Sequence, residues 1–338
     1  MPHQQDKPNR MVWIDTAKGI GILLVVFNHL SLYLHLSETY STIALLDEIM
    51  GSIDMPIFFV ISGILSKPQG ISFAFINKKI KRLIIPFVLI YSIFSVIIPS
   101  LYIISDTPCP LIINNGITIR RLLGDFIFND CQIINGPLWF LLSLFEIQIL
   151  FALFSMSANK SYMYLFSFLC GVIGLSLSYY SINLYASIDN ALTCLPYYAL
   201  GYYMKNDSNL ITAINNPNSR KGIYFLLSAF ICFFTKSHIE YHRNIIYDYS
   251  FFTAHICGIT GTLMLILLAY ALKKMSFINY LGRNSIIILC SHFIIIKLSA
   301  DLFHIGCPAT YFSSLFIVVI CSQLAIIPFC KKYMSAFF

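Results

Sequence analysis

The feature that most constrains this chain is the recurrence of apolar segments about 20 residues long, joined by short polar connections. A helix of about 20 apolar residues spans the hydrocarbon core of a bilayer. Of all residues, 58% are hydrophobic and only 11% are charged, whereas soluble domains carry about 25% charged residues. Because a soluble core could not bury this much apolar surface, we expect lipid to surround most of the chain.

About ten segments fit this description, so the sequence predicts an all-α, polytopic transmembrane bundle of about ten spans. The segments lie near residues 12–35, 50–66, 83–104, 137–158, 162–180, 188–204, 222–236, 249–272, 284–304 and 309–330. The first has no small-residue cleavage site at its end, which favours a permanent span over a cleaved signal peptide. We therefore expect one transmembrane domain at 12–330, between a short N-terminal tail at 1–11 and a C-terminal tail at 331–338.

The positions of Lys and Arg predict that both termini lie in the cytoplasm. In that orientation 16 of the 22 basic residues fall in the tails or in cytoplasmic connections. The basic residues left on the outer side are Arg120, Arg121, Lys236 and Arg243. Cytoplasmic loops are enriched in Lys and Arg, so the asymmetry favours this orientation. Because the basic residues cluster between apolar segments, the net charge of +7 does not indicate binding to nucleic acid.

The longest predicted connection, residues 105–136, lies on the outer side and contains an amphipathic piece at 117–128 that suits a membrane interface. Cys109 and Cys131 both fall in this connection. They could form a disulfide in an oxidising compartment or remain two free thiols. The ten cysteines include no C-x-x-C pair and no paired Cys/His spacing, so no metal site is expected.

The first apolar segment carries three ionisable residues, Asp15, Lys18 and His29, which are costly to bury in lipid. Lys18 and His29 are separated by about 16 Å along a helix and by nearly three turns, so they share one face. Asp15 precedes Lys18 by three residues and can pair with it. Lys18 could instead extend to the inner interface, and His29 could be a satisfied buried histidine. His29 also suits proton transfer near neutral pH.

Other polar residues fall at membrane depth, namely Glu146, His255 and His292. Each could hydrogen-bond between helices, and together they indicate a polar cavity inside the bundle. The basic run at 78–86 is either a positive-inside anchor or a site for phosphate groups. Lys79 and Arg82 are three residues apart in this run and share a helix face.

Six motifs occur in order over nearly the whole chain. They are D-T-A-K-G with N-H (15–19 and 28–29), P-I-F-F-V-I-S-G-I-L (56–65), K-K-I-K-R-L-I-I-P (78–86), G-P-L-W-F-L-L-S-L-F-E (136–146), P-Y-Y-A-L-G-Y-Y-M-K (196–205) and L-G-R-N-S-I-I-I-L-C-S-H (281–292). Each is weak alone, but their order resembles the membrane-bound acyltransferase 3 family. The resemblance is greatest to its fucose-4-O-acetylase-like and O-antigen acetylase-like members. The third motif departs from the family's R-x-x-R run at Lys79, which lacks the bidentate fork of arginine.

The resemblance implies an integral O-acyltransferase of the bacterial inner membrane. It would move an acetyl group from cytoplasmic acetyl-CoA to a hydroxyl of a cell-surface or lipid-linked saccharide, such as O-antigen or exopolysaccharide. His29 is the expected base or transient acyl carrier, with Lys18 held by Asp15. Lys79 and Arg82 would contact the CoA phosphates. Candidates for contacts to the saccharide are Trp139, Glu146 and His292, with Tyr197 as a further aromatic candidate.

Two other functions would also require many spans and intramembrane charges. One is a transporter or flippase for a polyprenyl-linked saccharide, which often shows inverted repeats and broken helices. The other is a polymer ligase or polymerase, which usually carries a larger outer loop. The partners expected for the acyltransferase are the lipid bilayer and a saccharide acceptor that is free or polyprenyl-linked.

Overall fold

Helices make up almost all of the described structure, in agreement with the all-α prediction. The computed structural model of the chain describes residues 11–67, 70–104, 112–113, 116–117, 123–125, 127, 132–155, 160–206, 220–237, 239–241, 244–246, 251–302 and 308–334. Two short antiparallel hairpins occur among them: β1 (Ile112–Ile113) with β2 (Gly116–Ile117), and β3 (Ile239–Glu240) with β4 (Ile245–Ile246). Cys109 and Cys131 lie outside the described residues, so their pairing stays a prediction.

The helices follow one another with short connections. The first part of the chain forms α1 (Val12–Tyr33), α2 (Leu36–Thr39), α3 (Ser41–Ile64), α4 (Phe73–Lys79), a π-helical turn (Ile80–Ile84), α5 (Ile85–Ile104), α6 (Gln132–Asn135), a 3-10 turn (Gly136–Leu138) and α7 (Trp139–Ser155). The second part forms α8 (Lys160–Tyr179), a 3-10 turn (Tyr185–Ser187), α9 (Ile188–Asn206), α10 (Arg220–Phe234), α11 (Phe251–Leu272), α12 (Ser276–Arg283), α13 (Ser285–Leu302) and α14 (Pro308–Tyr333).

Each of the ten predicted segments coincides with a helix, but fewer helices satisfy the length and composition of a span. Within the described residues, six helices are long and apolar enough to cross a membrane. A seventh span results if α12 and α13, which meet at 85°, count together. α10 is one of the helices left out, because it has only 15 residues. The chain is thus a multi-pass membrane protein, while ten spans and the cytoplasmic termini stay predictions.

α1 lies at the centre of the bundle. It packs against α3, α11, α12, α13 and α14, so most of its surface contacts protein rather than lipid. The contacts with α3 are antiparallel, since Gly21 of α1 lies against Ile57 and Ser31 bonds Asp47. The polar residues of the first segment are therefore placed inside the protein, where partners from other helices can reach them.

Two of the motif glycines bring α3 and α9 into backbone contact. A Cβ atom on Gly63 would overlap the carbonyl oxygen of Tyr198, and one on Gly201 would overlap that of Val60. Small residues at helix crossings allow this close approach inside membranes. The glycines of the second and fifth sequence motifs therefore serve the packing of the bundle.

Candidate active site

A cavity of about 610 Å³ lies at the end of α1 that carries His29. Its walls come from the end of α1, the middle of α3, the start of α7 and the turn after β3. The lining residues are Asn28, His29, Leu32, Tyr33, His35, Gly51, Asp54, Met55, Gly136, Pro137, Trp139, Glu240, Tyr241 and Phe293. Its size is within the range of small-molecule pockets, about 300–1,000 Å³.

His29 is held in one ring orientation by its own helix. Its Nδ1 lies 2.8 Å from the carbonyl oxygen of Val25, one turn earlier in α1. A carbonyl can only accept, so Nδ1 carries the proton in this contact and the neutral ring has its lone pair on Nε2. Since His29 lines the cavity, its ring can act there as a hydrogen-bond acceptor and as a base.

His292 of α13 lies behind His29. Its Nδ1 donates to the carbonyl oxygen of Ile288 at 2.9 Å, which leaves the lone pair on Nε2. This Nε2 is 3.3 Å from Nδ1 of His29. The two histidines, predicted separately from the sequence, therefore form one pair. His292 is fully buried and is absent from the cavity lining, so it contacts His29 rather than the cavity contents.

Asp54 is a second buried polar residue in the cavity wall, and its importance was not recognised from the sequence. Nδ2 of Asn28 donates to its Oδ2 at 3.2 Å, and the backbone N–H of Met55 donates to its Oδ1 at 2.6 Å. Asn28 is the neighbour of His29, so this bond fixes α3 beside the histidine. The available signal was an acidic residue at membrane depth, directly before the M-P-I-F-F run.

One part of the cavity wall is formed by the residues just before, within and after β3. The hydroxyl of Ser52 donates to the carbonyl oxygen of Ser237 at 2.6 Å, and Lys236 forms an ion pair with Glu48. The hydroxyl of Tyr241 contacts the carbonyl oxygen of Ser52 at 3.4 Å. These contacts hold the segment against α3.

Pro56 explains why the carbonyl of Ser52 is available to Tyr241. Proline has no N–H, and so the carbonyl four residues earlier in α3 loses its helical donor. Tyr241 supplies a hydroxyl at that position. The proline of the second sequence motif therefore helps to attach a wall of the cavity.

The opposite end of α1 carries Asp15. Arg283, the last residue of α12, donates from Nε to Oδ2 of Asp15 at 3.2 Å. Thr16 donates to Oδ1 of Asn279 at 2.6 Å, which adds a second polar contact between α1 and α12. The sequence predicted a pair between Asp15 and Lys18, and it did not reveal Arg283 as a partner. Asp15 and His29 are about 21 Å apart along the helix, so they belong to different ends of the bundle.

Two more glycines make this end compact. A Cβ atom on Gly19 would overlap the carbonyl oxygen of Ile278, and one on Gly282 would overlap that of Asp15. The short helix α12 therefore lies backbone to backbone against the start of α1. The glycines of D-T-A-K-G and L-G-R-N-S both serve this contact.

Lys79 and Arg82 lie away from the cavity, at the junction of α4 and the π-helical turn. The ammonium group of Lys79 lies 5.1 Å from the ring centroid of Phe75. The turn precedes Pro86, which lacks the N–H that would bond the carbonyl of Arg82 in an α-helix. A π-helical turn changes the hydrogen-bond register next to the missing donor. Such turns often occur at functional sites.

The remaining predicted residues divide between the cavity and the bundle. Trp139 lines the cavity at the start of α7. Glu146 lies on the same helix, about 10 Å further along it, and does not line the cavity. Tyr197 is fully buried, and its hydroxyl reaches the hydroxyl of Tyr241 at 3.0 Å. His255 stacks on Tyr197 and contacts the carbonyl oxygen of Thr193 at 3.1 Å, as expected for a link between helices.

Comparison with known proteins assigns the family. A model of the acyltransferase 3 family, described as an acyltransferase domain, matches residues 11–327. No curated protein and no solved structure matches the chain. The match includes every helix that surrounds the cavity and both residues of the histidine pair. The chain therefore belongs to the acyltransferase 3 family and is a membrane-embedded acyltransferase.

Proposed function

We propose that this acyltransferase moves an acetyl group from acetyl-CoA to a hydroxyl of a saccharide bound in the cavity at His29. The observation that carries the proposal is the anchored ring of His29 in the cavity wall. Two acceptors, the carbonyl of Val25 and Nε2 of His292, lie within reach of its Nδ1–H. This arrangement supplies what attack by an alcohol requires, which is an oriented base.

The reaction at His29 follows from the positions of its two nitrogens. Nε2 removes the proton from the sugar hydroxyl as the oxygen attacks the thioester carbonyl. The C–S bond then breaks, and the proton on Nε2 passes to the departing thiolate. In the intermediate state the imidazolium is stabilised through Nδ1–H by Val25 and His292. Atoms and charges balance without a metal or a redox partner.

The donor is proposed to enter from the end of the bundle that carries Asp15. Several basic residues lie at this end: Arg283 pairs with Asp15, and Lys331 lies 5.7 Å from the ring centroid of Tyr280. We propose that this end faces the cytoplasm, since cytoplasmic loops are enriched in basic residues. Lys79 and Arg82 would contact the CoA phosphates there, with the pantetheine arm extending into the bundle towards His29.

The acceptor is proposed to bind from the other side of the membrane. The cavity lies about 21 Å from Asp15 along α1, and carboxyl, amide, imidazole and aromatic groups line it. These groups suit the hydroxyls and the ring faces of a saccharide. A cell-surface or polyprenyl-linked glycan of a bacterium would meet the cavity at the outer leaflet of the inner membrane.

A transporter of lipid-linked saccharide remains the second candidate, and one observation favours it. α12 and α13 meet at 85°, next to Asn284, and broken helices are frequent in transporters. Transporter sites usually involve such helices in both halves of the chain, and α12 packs instead on the start of α1. Family membership therefore favours acyl transfer.

The deciding experiment uses membranes that contain the protein, radiolabelled acetyl-CoA and glycan from the host. Transfer of label to the glycan, absent in membranes with His29→Ala, supports the acetyltransferase. Movement of glycan across the membrane without label supports the transporter. Mass analysis of surface glycan from strains with and without the protein then identifies the modified sugar.

A further inference from the structure

Asp54 has no part in the chemistry assigned above to His29, although both line the same cavity. Its side chain is 3% exposed. The bonds from Asn28 and from the N–H of Met55 fix its carboxyl group on the middle of α3. Asn28 precedes His29 in α1 and all three residues line the cavity, so the carboxyl group is bonded to the part of α1 that carries the histidine.

These contacts hold the carboxyl group but do not use all of its hydrogen-bonding capacity. A carboxylate offers about four acceptor positions on its two oxygens. Asn28 and Met55 fill one position on each oxygen, so about two positions remain for donors from the cavity that Asp54 lines. Hydroxyl groups of a sugar are donors of this kind.

The surroundings of Asp54 also suit a sugar ring. Trp139 at the start of α7 and Tyr241 after β3 line the same cavity. Trp139 is itself fixed against Phe59, with ring centroids 6.3 Å apart. Aromatic rings offer an apolar face to the C–H groups of a sugar, while Asp54 and Asn28 offer polar atoms.

We propose that Asp54 binds the acceptor by accepting a hydrogen bond from the sugar hydroxyl next to the one that His29 deprotonates. The choice of a sugar as ligand rests on the proposed function, but binding at Asp54 does not require transfer. The acceptor then needs two neighbouring free hydroxyls. One is acylated, and the other selects the sugar and its orientation.

Binding can be measured directly, because the chain has only two tryptophans and one of them lines the cavity. With Trp13→Phe as background, the fluorescence of Trp139 reports occupancy of the cavity in purified protein. The probes are methyl glycosides of neutral hexoses and 6-deoxyhexoses, together with analogues that lack single hydroxyls.

We expect Asp54→Asn to weaken binding of the preferred glycoside at least tenfold, about the effect of one hydrogen bond to a charged group. The analogue that lacks the neighbouring hydroxyl should bind wild-type protein equally weakly, with no further loss in Asp54→Asn. The matched control is Asp47→Asn. Asp47 lies two turns earlier on α3, is also buried, accepts from Ser31 at 2.7 Å, and lines a smaller neighbouring pocket rather than the cavity at His29.

The outcomes separate this inference from the proposed function. Equal affinity in Asp54→Asn and wild type, or no response of wild-type protein to any glycoside, overturns the role of Asp54. Binding as expected without transfer of acetyl contradicts the proposed function and leaves the Asp54 site standing. Transfer of acetyl with an unchanged acceptor KM in Asp54→Asn contradicts the Asp54 site and leaves the proposed function standing.

Discussion

Nε2 of His292 lies 3.3 Å from Nδ1 of His29, and the two rings meet edge to face with centroids 5.0 Å apart. His292 is fully buried and is not among the described residues that line the cavity. Its own Nδ1 is fixed by the carbonyl of Ile288, so its free lone pair faces the proton of His29. The pair is arranged to fix both the tautomer and the orientation of the proposed base, so we propose that His292 is a positioning residue.

The first prediction separates this positioning role from packing. His292→Phe keeps a ring but removes the acceptor, whereas His292→Gln keeps a carbonyl oxygen that can accept from His29. We expect kcat to fall roughly 10–100-fold in His292→Phe, the effect of one hydrogen bond to a charged group, with substantial rescue in His292→Gln. KM for donor and acceptor should stay near wild type. Equal loss in the two variants at equal membrane abundance contradicts the role.

The second prediction concerns His29 itself. His29→Ala should lower the rate of acetyl transfer about 10²-fold or more, because the general base is lost. His29→Gln should fail as well, since an amide cannot take up the proton. His255→Gln is the control, because His255 is a half-buried histidine that lies outside the cavity lining. If His29→Gln transfers acetyl at near wild-type rate, the proposed mechanism is wrong even though the family assignment stands.

The third prediction concerns Asp15 and Arg283. Asp15 is almost fully buried and Arg283 is about half exposed, so their coupling should be on the order of 1 kcal/mol. A double-mutant cycle with Asp15→Asn and Arg283→Gln, followed by thermal unfolding in detergent, measures this coupling. Lys331→Gln is the control, since Lys331 lies at the same end against Tyr280. Additive effects of the two substitutions would show that the ion pair does not stabilise the junction of α1 and α12.

The helices were predictable from the sequence because their signal is local. A run of about 20 apolar residues predicts a helix independently of the rest of the chain. Each of the ten predicted segments is helical. The number of spans is harder to predict, because α10 is short and α12 and α13 form a bent pair. The length of α10, or of the bent pair, is not enough to decide whether it crosses the membrane.

The partners of the polar residues were not predictable, because they come from distant parts of the chain. Arg283 is 268 residues from Asp15, and His292 is 263 residues from His29. The sequence identified His29 and His292 as residues that lipid would not tolerate, but it could not bring them together. It also placed Lys18 beside Asp15 on local spacing, and that pair stays a prediction, but it could not show that Arg283 of another helix reaches Asp15.

The contacts of the motif glycines were also not predictable from the sequence. Gly63 and Gly201 occur in two separate motifs, and no pattern in the sequence connects them. In the structure each faces a backbone carbonyl of the other's helix. Their role in packing depends on the crossing of α3 and α9, which cannot be predicted from a local sequence pattern.

The fourth prediction tests the orientation of the bundle. A reporter fused after residue 338 should behave as cytoplasmic, because the last helix ends in Lys331 and Lys332. A reporter inserted near Asn115, which lies outside the described residues, should behave as external. The opposite behaviour at either position contradicts the ten-span arrangement and the outward position of the cavity.

The last prediction tests the donor site. Replacing both Lys79 and Arg82 with Gln should raise the KM for acetyl-CoA at least tenfold, because each bond from a cation to phosphate contributes roughly 1.5–3 kcal/mol. The acceptor KM should not change, since neither residue lines the cavity.

The basic run offers a matched control for this test. Lys78 and Lys81 are also three residues apart, and Lys78→Gln with Lys81→Gln removes the same charge from a neighbouring face of the same segment. If the run serves only to orient the protein in the membrane, the two double variants should behave alike. A donor KM that rises only when Lys79 and Arg82 are replaced locates the phosphate contacts at the π-helical turn. An unchanged donor KM in both leaves the run as a topological anchor and removes the proposed donor site.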